Sequence, residues 1–348
     1  MTFPLLSLPK DAILETIRVM DMDGIICLSL VSKRCKQHVI SINMKATSFE
    51  VCILGDVNFD IQTSTTDFYL EFPSDEAVMA GQKRKLKTPH CFTVCLHEDE
   101  TIRELGQWKW TKFEYEDWLE HVWDIFHYQG IDQLHFDDDA FLYDLDDIKK
   151  DFGAANELYV EHTGCYNFNQ LVFQKFAHIE KIRFDINIFP TGSKFSPIIL
   201  TPNIGQLYIK DLNETSQTMK LNDLLMNNSK SIDIDNLQMS SKDINKFIQL
   251  WMKGSNPRLE HLQIWNSTGE IPDQTEVMKG IKYTEISEDQ SRQFKCCGLE
   301  DGVIVTDGMD IQRKDGTRAT IDISPFGNRH VFEMFVWHDH CFVKDETQ

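Results

Sequence analysis

The sequence lacks several features that would place a chain in a common functional class. Its 348 residues contain no run of eighteen apolar residues, so no transmembrane helix is expected. No glycine-rich phosphate loop, no H-E-x-x-H pattern and no G-x-S-x-G pattern is present. Since these patterns accompany phosphate binding, zinc-protease and serine-hydrolase chemistry, we expect no catalytic residue, no cofactor and no bound metal, and we expect the chain not to be an enzyme.

Positive charge is scarce as well. The chain has 35 lysine and arginine residues against 55 aspartate and glutamate residues, which gives a formal net charge of −20. Such a surface repels nucleic acid and anionic membranes over most of its area, so neither is expected as a partner. The same charge favours a basic protein segment as a ligand, or serves solubility alone.

The N-terminal residues do not have the pattern of a secretion signal. Lys10 lies within the first ten residues, and no apolar core region accompanies it. We therefore expect a reducing compartment, the cytoplasm, in which the nine cysteines are free and mostly buried thiols. The basic segment 83–87 allows two interpretations, a nuclear localisation signal or a solvated loop.

Residues 3–40 predict three short helices. Pro9 suits the first turn of a helix, where its missing N–H is no loss, and Ile13 and Ile17 follow at helical spacing. Leu28 and Val31 lie on a second apolar stripe, which a basic third helix follows. Three helices of this length cannot bury all their apolar side chains against one another, so the surplus is expected to face a partner.

This stretch resembles the F-box, through Leu8-Pro9, Ile13, Ile17, the run 28–32 and Lys33-Arg34. The resemblance implies that residues 1–44 bind the Skp adaptor, and through it the cullin of a ubiquitin ligase. An ordinary three-helix cap on a larger domain is the alternative. The residues implied in adaptor binding are Leu8, Pro9, Ile13, Ile17, Leu28, Val31 and Arg34.

The middle of the chain changes its pattern twice. Residues 45–128 predict short strands rich in β-branched and aromatic residues, followed by an amphipathic helix over 112–128. From residue 129 onwards a repeat begins, in which a central apolar residue recurs at intervals of 24 to 30 residues. The central residues are Leu134, Leu158, Ile182, Leu207, Ile232 and Leu262.

The repeat resembles a degenerate leucine-rich repeat. Each unit has a Leu-x-Leu-like strand core, and helix-like segments lie between the units. The predicted fold is therefore α/β: a three-helix F-box, a strand-rich connector over 45–128, and a leucine-rich-repeat-like solenoid within 129–348. Asp315-Gly316 predicts a β-hairpin towards the C-terminus.

Residues 221–264 resemble the type 2 F-box-associated domain of nematode F-box proteins. The matching residues are Asn228-Ser229, Asp243-Ile244-Asn245, Trp251, Gly254-Ser255-Asn256-Pro257 and Leu259-Glu260. The resemblance implies a substrate-recognition subunit of a Skp–cullin–F-box type ubiquitin ligase, whose repeat domain holds the target protein. A binding scaffold with an F-box-like cap that never joins a ligase is the alternative, and an enzyme with an unrecognised site is a third hypothesis.

The repeat also predicts where a target binds. Because side chains alternate along a strand, the residues between the buried apolar positions point outward and form rows across the sheet. The rows carry aromatic, arginine and acidic side chains, so we expect a target with a basic segment. The loops or the C-terminal hairpin are the alternative binding surface. The predicted target-binding residues are Tyr159, Arg183, Tyr208, Asp233 and Trp265.

Two pairs of cysteines are candidates for reactive sites. Cys91 and Cys95 face the same side of one predicted strand, and a zinc site there would need two further ligands. Histidines and Cys341 are available in principle, but we interpret the pair as buried thiols. Cys296 and Cys297 adjoin a polar loop and have no assigned role.

Overall fold

The computed structural model describes residues 5–74, 83–98, 101–188, 197–210, 219–235, 239–266, 272–286, 290–326 and 329–343. It is a mixed α/β structure in which three N-terminal helices precede a large amount of β-sheet. The chain divides into two compact units, Met1–Asn156 and Glu157–Gln348. The boundary expected at residue 129 therefore lies inside the first unit.

The described part of the first unit combines helices with six β-strands. Its helices are α1 (Lys10–Arg18), α2 (Met22–Val31), α3 (Lys33–Ser41), α4 (Tyr115–Ile125) and α5 (Leu145–Phe152), with short 3-10 turns at Leu5–Ser7 and Ala140–Leu142. Its strands are β1 (Ala46–Ile53), β2 (Val57–Thr63), β3 (Asp67–Phe72), β4 (Cys91–Glu98), β5 (Thr101–Lys109) and β6 (Gln133–Phe136). The strand order is β6-β1-β2-β3-β4-β5, and β6 runs parallel to β1.

Aromatic residues form the core of this unit. Trp118 of α4 is fully buried, and its ring lies 5.2 Å from that of Phe72 and 4.9 Å from that of Phe92, both in edge-to-face geometry. Such pairs stabilise a core by about 0.5–1.5 kcal/mol beyond their buried area. Helix α4 thus packs against strands β3 and β4 in one hydrophobic core.

The second unit contains five of the six strands that the sequence repeat predicted. Its helices are α6 (Tyr166–Lys175), α7 (Pro197–Leu200), α8 (Leu221–Met226), α9 (Ser241–Lys253) and α10 (Gln274–Val277), with 3-10 turns at Ile186–Ile188 and Asp339–Cys341. Its strands are β7 (Glu157–Val160), β8 (Lys181–Asp185), β9 (Gln206–Lys210), β10 (Ser231–Ile234), β11 (His261–Asn266), β12 (Thr284–Glu285), β13 (Arg292–Cys296), β14 (Leu299–Val305), β15 (Met309–Gln312), β16 (Arg318–Phe326) and β17 (Arg329–Trp337).

Strands β7 to β11 are neighbours in chain order. Each pairs in parallel with the next, and β17 then pairs antiparallel with β11, followed by β16, β15 and β12. The central repeat residues stand directly opposite one another across this ladder, and none is more than 4% exposed. These aligned residues are Leu158, Ile182, Leu207, Ile232 and Leu262.

Helix α9 shows why the segments between strands become helices. Ser240 accepts a hydrogen bond from the Asp243 N–H at 3.2 Å, which satisfies a free donor at the helix start. Gly254 ends the helix with a φ of 119°, a left-handed conformation that suits glycine. Ile244, Phe247 and Trp251 recur at helical spacing and are buried.

The predicted hairpin joins β15 and β16. Gly316 has a φ of 95°, and its N–H donates to the Arg313 carbonyl at 3.0 Å. The Asp315 carboxylate accepts from the Thr317 N–H at 3.0 Å, so the aspartate closes the turn from its own side chain.

The aligned core predicts the cost of shortening one of its residues. Leu207→Ala should lower the free energy of unfolding by roughly 2–5 kcal/mol, because Leu207 is fully buried between parallel neighbours. Chemical denaturation measures the change. Leu171→Ala is the matched control in the same unit, since Leu171 is 47% exposed and should lose less than about 1 kcal/mol. Equal losses in the two variants would show that Leu207 is not a core residue.

Candidate functional site

The three N-terminal helices are fastened to α4 by a buried polar contact. Ser29 of α2 donates its hydroxyl proton to the Ile26 carbonyl at 2.6 Å, so its oxygen accepts from Nε2–H of His121 at 2.7 Å. Lys36 of α3 pairs with Asp124 at 2.6 Å. The helices are therefore held in one arrangement relative to the strands of their own unit.

Burial divides the predicted adaptor-binding residues into two groups. Ile13 and Ile17 are 1% and 0% exposed, so in this conformation they belong to the core of the unit, and a contact with an adaptor stays a prediction for them. These two side chains form the buried face of α1 and pack it against the rest of the unit. Pro9, Val31 and Arg34 are exposed, and Leu8 and Leu28 are half-buried.

The exposed apolar surface of these helices includes one residue that the sequence did not single out. Val19, which follows α1, is 81% exposed, and Val31 at the end of α2 is 71% exposed. Val19 lies outside the F-box-like pattern, so only its exposure reveals it. Arg34 is held near the helices by a 3.4 Å hydrogen bond from its guanidinium to the Leu6 carbonyl.

The predicted target-binding row is present in the second unit. Tyr159, Arg183 and Tyr208 stand opposite one another on β7, β8 and β9. The Arg183 guanidinium lies over both rings, 5.5 Å from the Tyr159 centroid and 5.1 Å from the Tyr208 centroid. Its Nε also lies 3.2 Å from a carboxylate oxygen of Glu157. The three side chains thus form one stack, with Arg183 between two aromatic rings.

Acidic residues continue the row on the next strand. Asp233 stands opposite Tyr208, and burial together with the nearby Asp235 carboxylate raises the Asp233 pKa to about 7. Asp235 accepts a hydrogen bond from the Tyr208 hydroxyl at 2.7 Å and from Arg329 at 3.5 Å. The Trp265 side chain hydrogen-bonds Asp233 and partly offsets the rise. The structure therefore brings together Asp233 and Trp265, two of the predicted target-binding residues.

One member of the row comes from an antiparallel pairing that repeat spacing does not reveal. Gln263 of β11 stands opposite Asp233 and, on its other side, opposite Glu333 of β17. Glu333 accepts from Nε2 of the buried His261 at 2.8 Å. Strand β17 lies outside the repeat, so no interval in the sequence pointed to Glu333.

One residue of the row is less accessible than expected. Tyr159 is only 7% exposed, and its hydroxyl donates to Glu161. Its ring is therefore largely covered, and it packs against the Arg183 guanidinium. The hairpin of β13 and β14 packs on the outward side of β17, where Phe294 lies 5.2 Å from Phe335. The accessible surface of the row runs from Arg183 to Glu333.

The remaining sequence features have plain structural roles. Arg84, within the basic segment 83–87, donates to the Gly55 carbonyl and lies 5.7 Å from the Tyr143 ring centre. All nine cysteines are free, and Cys95 is buried whereas Cys91 is half-buried. Within the described ranges, no helix has the length and apolar character needed to cross a membrane.

Comparison with known proteins gives two matches. Residues 196–264 match the family model described as F-box associated. Over 344 residues, 97% of this chain and 98% of the relative, the chain is 25% identical to F-box associated domain-containing protein sdz-33 of Caenorhabditis elegans. The resemblance to nematode F-box-associated proteins is confirmed. The matched segment includes β9 to β11 and α9, and these strands carry three of the five aligned core residues together with Tyr208, Asp233 and Trp265. No solved structure matches the chain.

The buried histidine predicts how the first unit responds to acid. Burial, with a smaller effect of Lys36, lowers the His121 pKa to about 4, below its ordinary value near 6.5. The unfolded chain therefore takes up this proton more readily. The stability contribution of His121 is complete above about pH 6.5 and is lost as the pH falls towards 4.

Urea denaturation at pH 7.5 and pH 4.5 measures this loss, with His121→Gln as the control. Glutamine can donate to Ser29 but does not titrate. The wild-type protein should lose roughly 2–3 kcal/mol more than the variant between the two pH values. An equal loss in both proteins would show that His121 is not buried in its neutral form.

Proposed function

We propose that this chain is the substrate-recognition subunit of a Skp–cullin–F-box type ubiquitin ligase. The observation that carries the proposal is the order of two features in one chain. Three F-box-like helices with exposed apolar residues come first, and a segment that matches the F-box-associated family follows. The relative aligned over nearly the whole chain is itself named for an F-box-associated domain.

In this proposal the chain has no catalytic role. The N-terminal helices bind the Skp adaptor, and the second unit binds the target protein. The chain contributes proximity, because holding a target lysine near the ubiquitin carrier raises its effective concentration. Conjugation itself belongs to other subunits.

The proposal also treats β7 to β11 as degenerate leucine-rich-repeat-like units of a solenoid. It is supported by their chain-order parallel pairing and by the alignment of their central apolar residues. Helices such as α6 and α9 follow the strands β7 and β10. A repeat of this kind lines up one residue from each unit, which suits recognition of an extended segment of a target.

The adaptor interaction is tested at an exposed residue, so that folding is preserved. Val31→Lys places a charge on the predicted contact surface, and lysine suits the C-terminal end of α2. We expect capture of the Skp adaptor to fall at least about tenfold, since burying an unpaired charge opposes binding. Co-precipitation of purified proteins measures it.

Ile102→Lys is the matched control for this test. Ile102 is 62% exposed on β5, outside the F-box-like helices, and should leave adaptor capture unchanged. Wild-type capture by Val31→Lys would contradict the F-box assignment at this residue. If the wild-type chain captures target proteins but no Skp adaptor, the chain is a scaffold outside the ligase.

The target surface is tested at its accessible members. Asp233, Asp235 and Glu333 lie on one side of the sheet, which supports a target with a basic segment. Arg183 and Trp265 are accessible enough to contact it, so each is changed to alanine separately. In a proximity-labelling experiment, each variant should no longer enrich the partners that the wild-type chain enriches. Leu171→Ala on α6 is the control, and a partner list that Arg183→Ala and Trp265→Ala both leave unchanged would exclude this surface.

A further inference from the structure

A compact group of potential metal ligands lies at the start of β11. Glu260, His340 and Cys341 each offer one ligand atom, and these three atoms all lie within 4.8 Å of one another. Glu260 directly precedes β11, whereas the other two belong to the turn Asp339–Cys341 that follows β17. Folding therefore brings a carboxylate, an imidazole and a thiol together from distant parts of the sequence.

The turn that carries two of these residues is fixed by its own hydrogen bonds. The Cys341 N–H donates to the His338 carbonyl at 2.8 Å, and His338 Nε2 donates to the Leu259 carbonyl at 2.9 Å. The rings of His338 and His340 stack with an angle of 6° between their planes. The turn that carries His340 and Cys341 is thus tied to the start of β11.

Burial makes the group accessible from one side only. Glu260 is 3% exposed and Cys341 is fully buried, whereas the His340 side chain is 61% exposed. A cation can therefore approach along the imidazole and meet two ligands that are shielded from water. Such a combination of an entry path with buried donors favours binding over simple surface adsorption.

We propose that Glu260, His340 and Cys341 bind a zinc ion. Thiolate and imidazole donors together favour zinc over calcium or magnesium, and a carboxylate oxygen is an ordinary third ligand. A water molecule completes a tetrahedral site. The site is distinct from the outward row and does not depend on the ligase function proposed above.

Lys230 is the native competitor for this site. Its Nζ lies 3.2 Å from the Glu260 oxygen that also lies 2.9 Å from His340 Nε2. The Lys230 side chain is 40% exposed, so it can move into solvent when the divalent ion replaces it. The exchange keeps a positive charge beside the buried carboxylate.

Zinc binding should release one proton, that of the Cys341 thiol. Burial and the nearby Glu260 raise the pKa of the Cys341 thiol to about 11, so the free thiol is protonated at neutral pH. Coordination forms a zinc–sulfur bond and breaks the S–H bond, and the proton passes to the buffer. Each zinc ion therefore releases one proton from Cys341.

The test uses the untagged full-length protein after treatment with a chelator. Calorimetric titration with Zn²⁺ in buffers of different ionisation enthalpy gives the stoichiometry and the proton count. We expect one ion per chain, release of at least one proton, and a melting temperature raised by a few degrees. Titration with Co²⁺ should give a near-ultraviolet thiolate-to-metal absorption band.

Substitutions decide which residues bind the ion. His340→Gln should weaken zinc affinity at least about tenfold, and since His340 is exposed this variant keeps the fold intact. Cys341→Ser should abolish the cobalt band. Cys297→Ser is the matched control, because Cys297 lies near Glu260 but outside the ligand group, and this variant should bind zinc as the wild type does.

Three results would overturn the proposal. The first is the absence of stoichiometric zinc binding by the wild-type protein. The second is wild-type affinity in both His340→Gln and Glu260→Gln. The third is loss of binding in Cys91→Ser with full binding in His340→Gln, which would place the ion at β4. None of these measurements involves the Skp adaptor. A failure of the zinc proposal would therefore leave the ligase proposal unaffected.

Discussion

The second unit depends on one constraint, the register of the parallel strands β7 to β11. Side chains alternate along a strand, so a slip of one residue would move every apolar side chain to the outward face and every polar one into the core. Leu158, Leu207 and Leu262 belong to the aligned buried line that prevents this slip. Once the register of these buried residues is set, the positions of the outward-facing residues that alternate with them are set as well.

The outward row is held together because its members satisfy one another across strands. Arg183 lies between two tyrosine rings, and Tyr208 donates to Asp235. This arrangement is electrostatically unfavourable, because it places several carboxylates close together on a partly buried surface. The raised pKa of Asp233 reflects this burial and repulsion, and a basic ligand would reduce the repulsion. The same electrostatics that strain the free protein therefore favour the kind of target that we propose.

The apolar residues of the N-terminal helices fall into two groups. Ile13 and Ile17 face inward and hold α1, while Val31 remains on the surface. The polar contact between Ser29 and His121 then ties these helices to α4, so that any adaptor surface is presented by a rigid base. The residues that resemble an F-box thus divide into those that pack the helices and those that remain exposed.

The sequence by itself determined the local elements and the repeat. Proline and glycine positions set helix starts and turns, and the recurrence of Leu134, Leu158 and the later repeat residues predicted strands that the structure contains, since backbone preferences and alternation are local properties. Only the tertiary structure decided that Ile13 is core and Val31 surface, that Tyr159 is covered, and that Glu333 joins the row. It also brought Glu260 to the C-terminal turn. Burial and antiparallel pairing depend on residues far apart in the chain, and no local pattern records them.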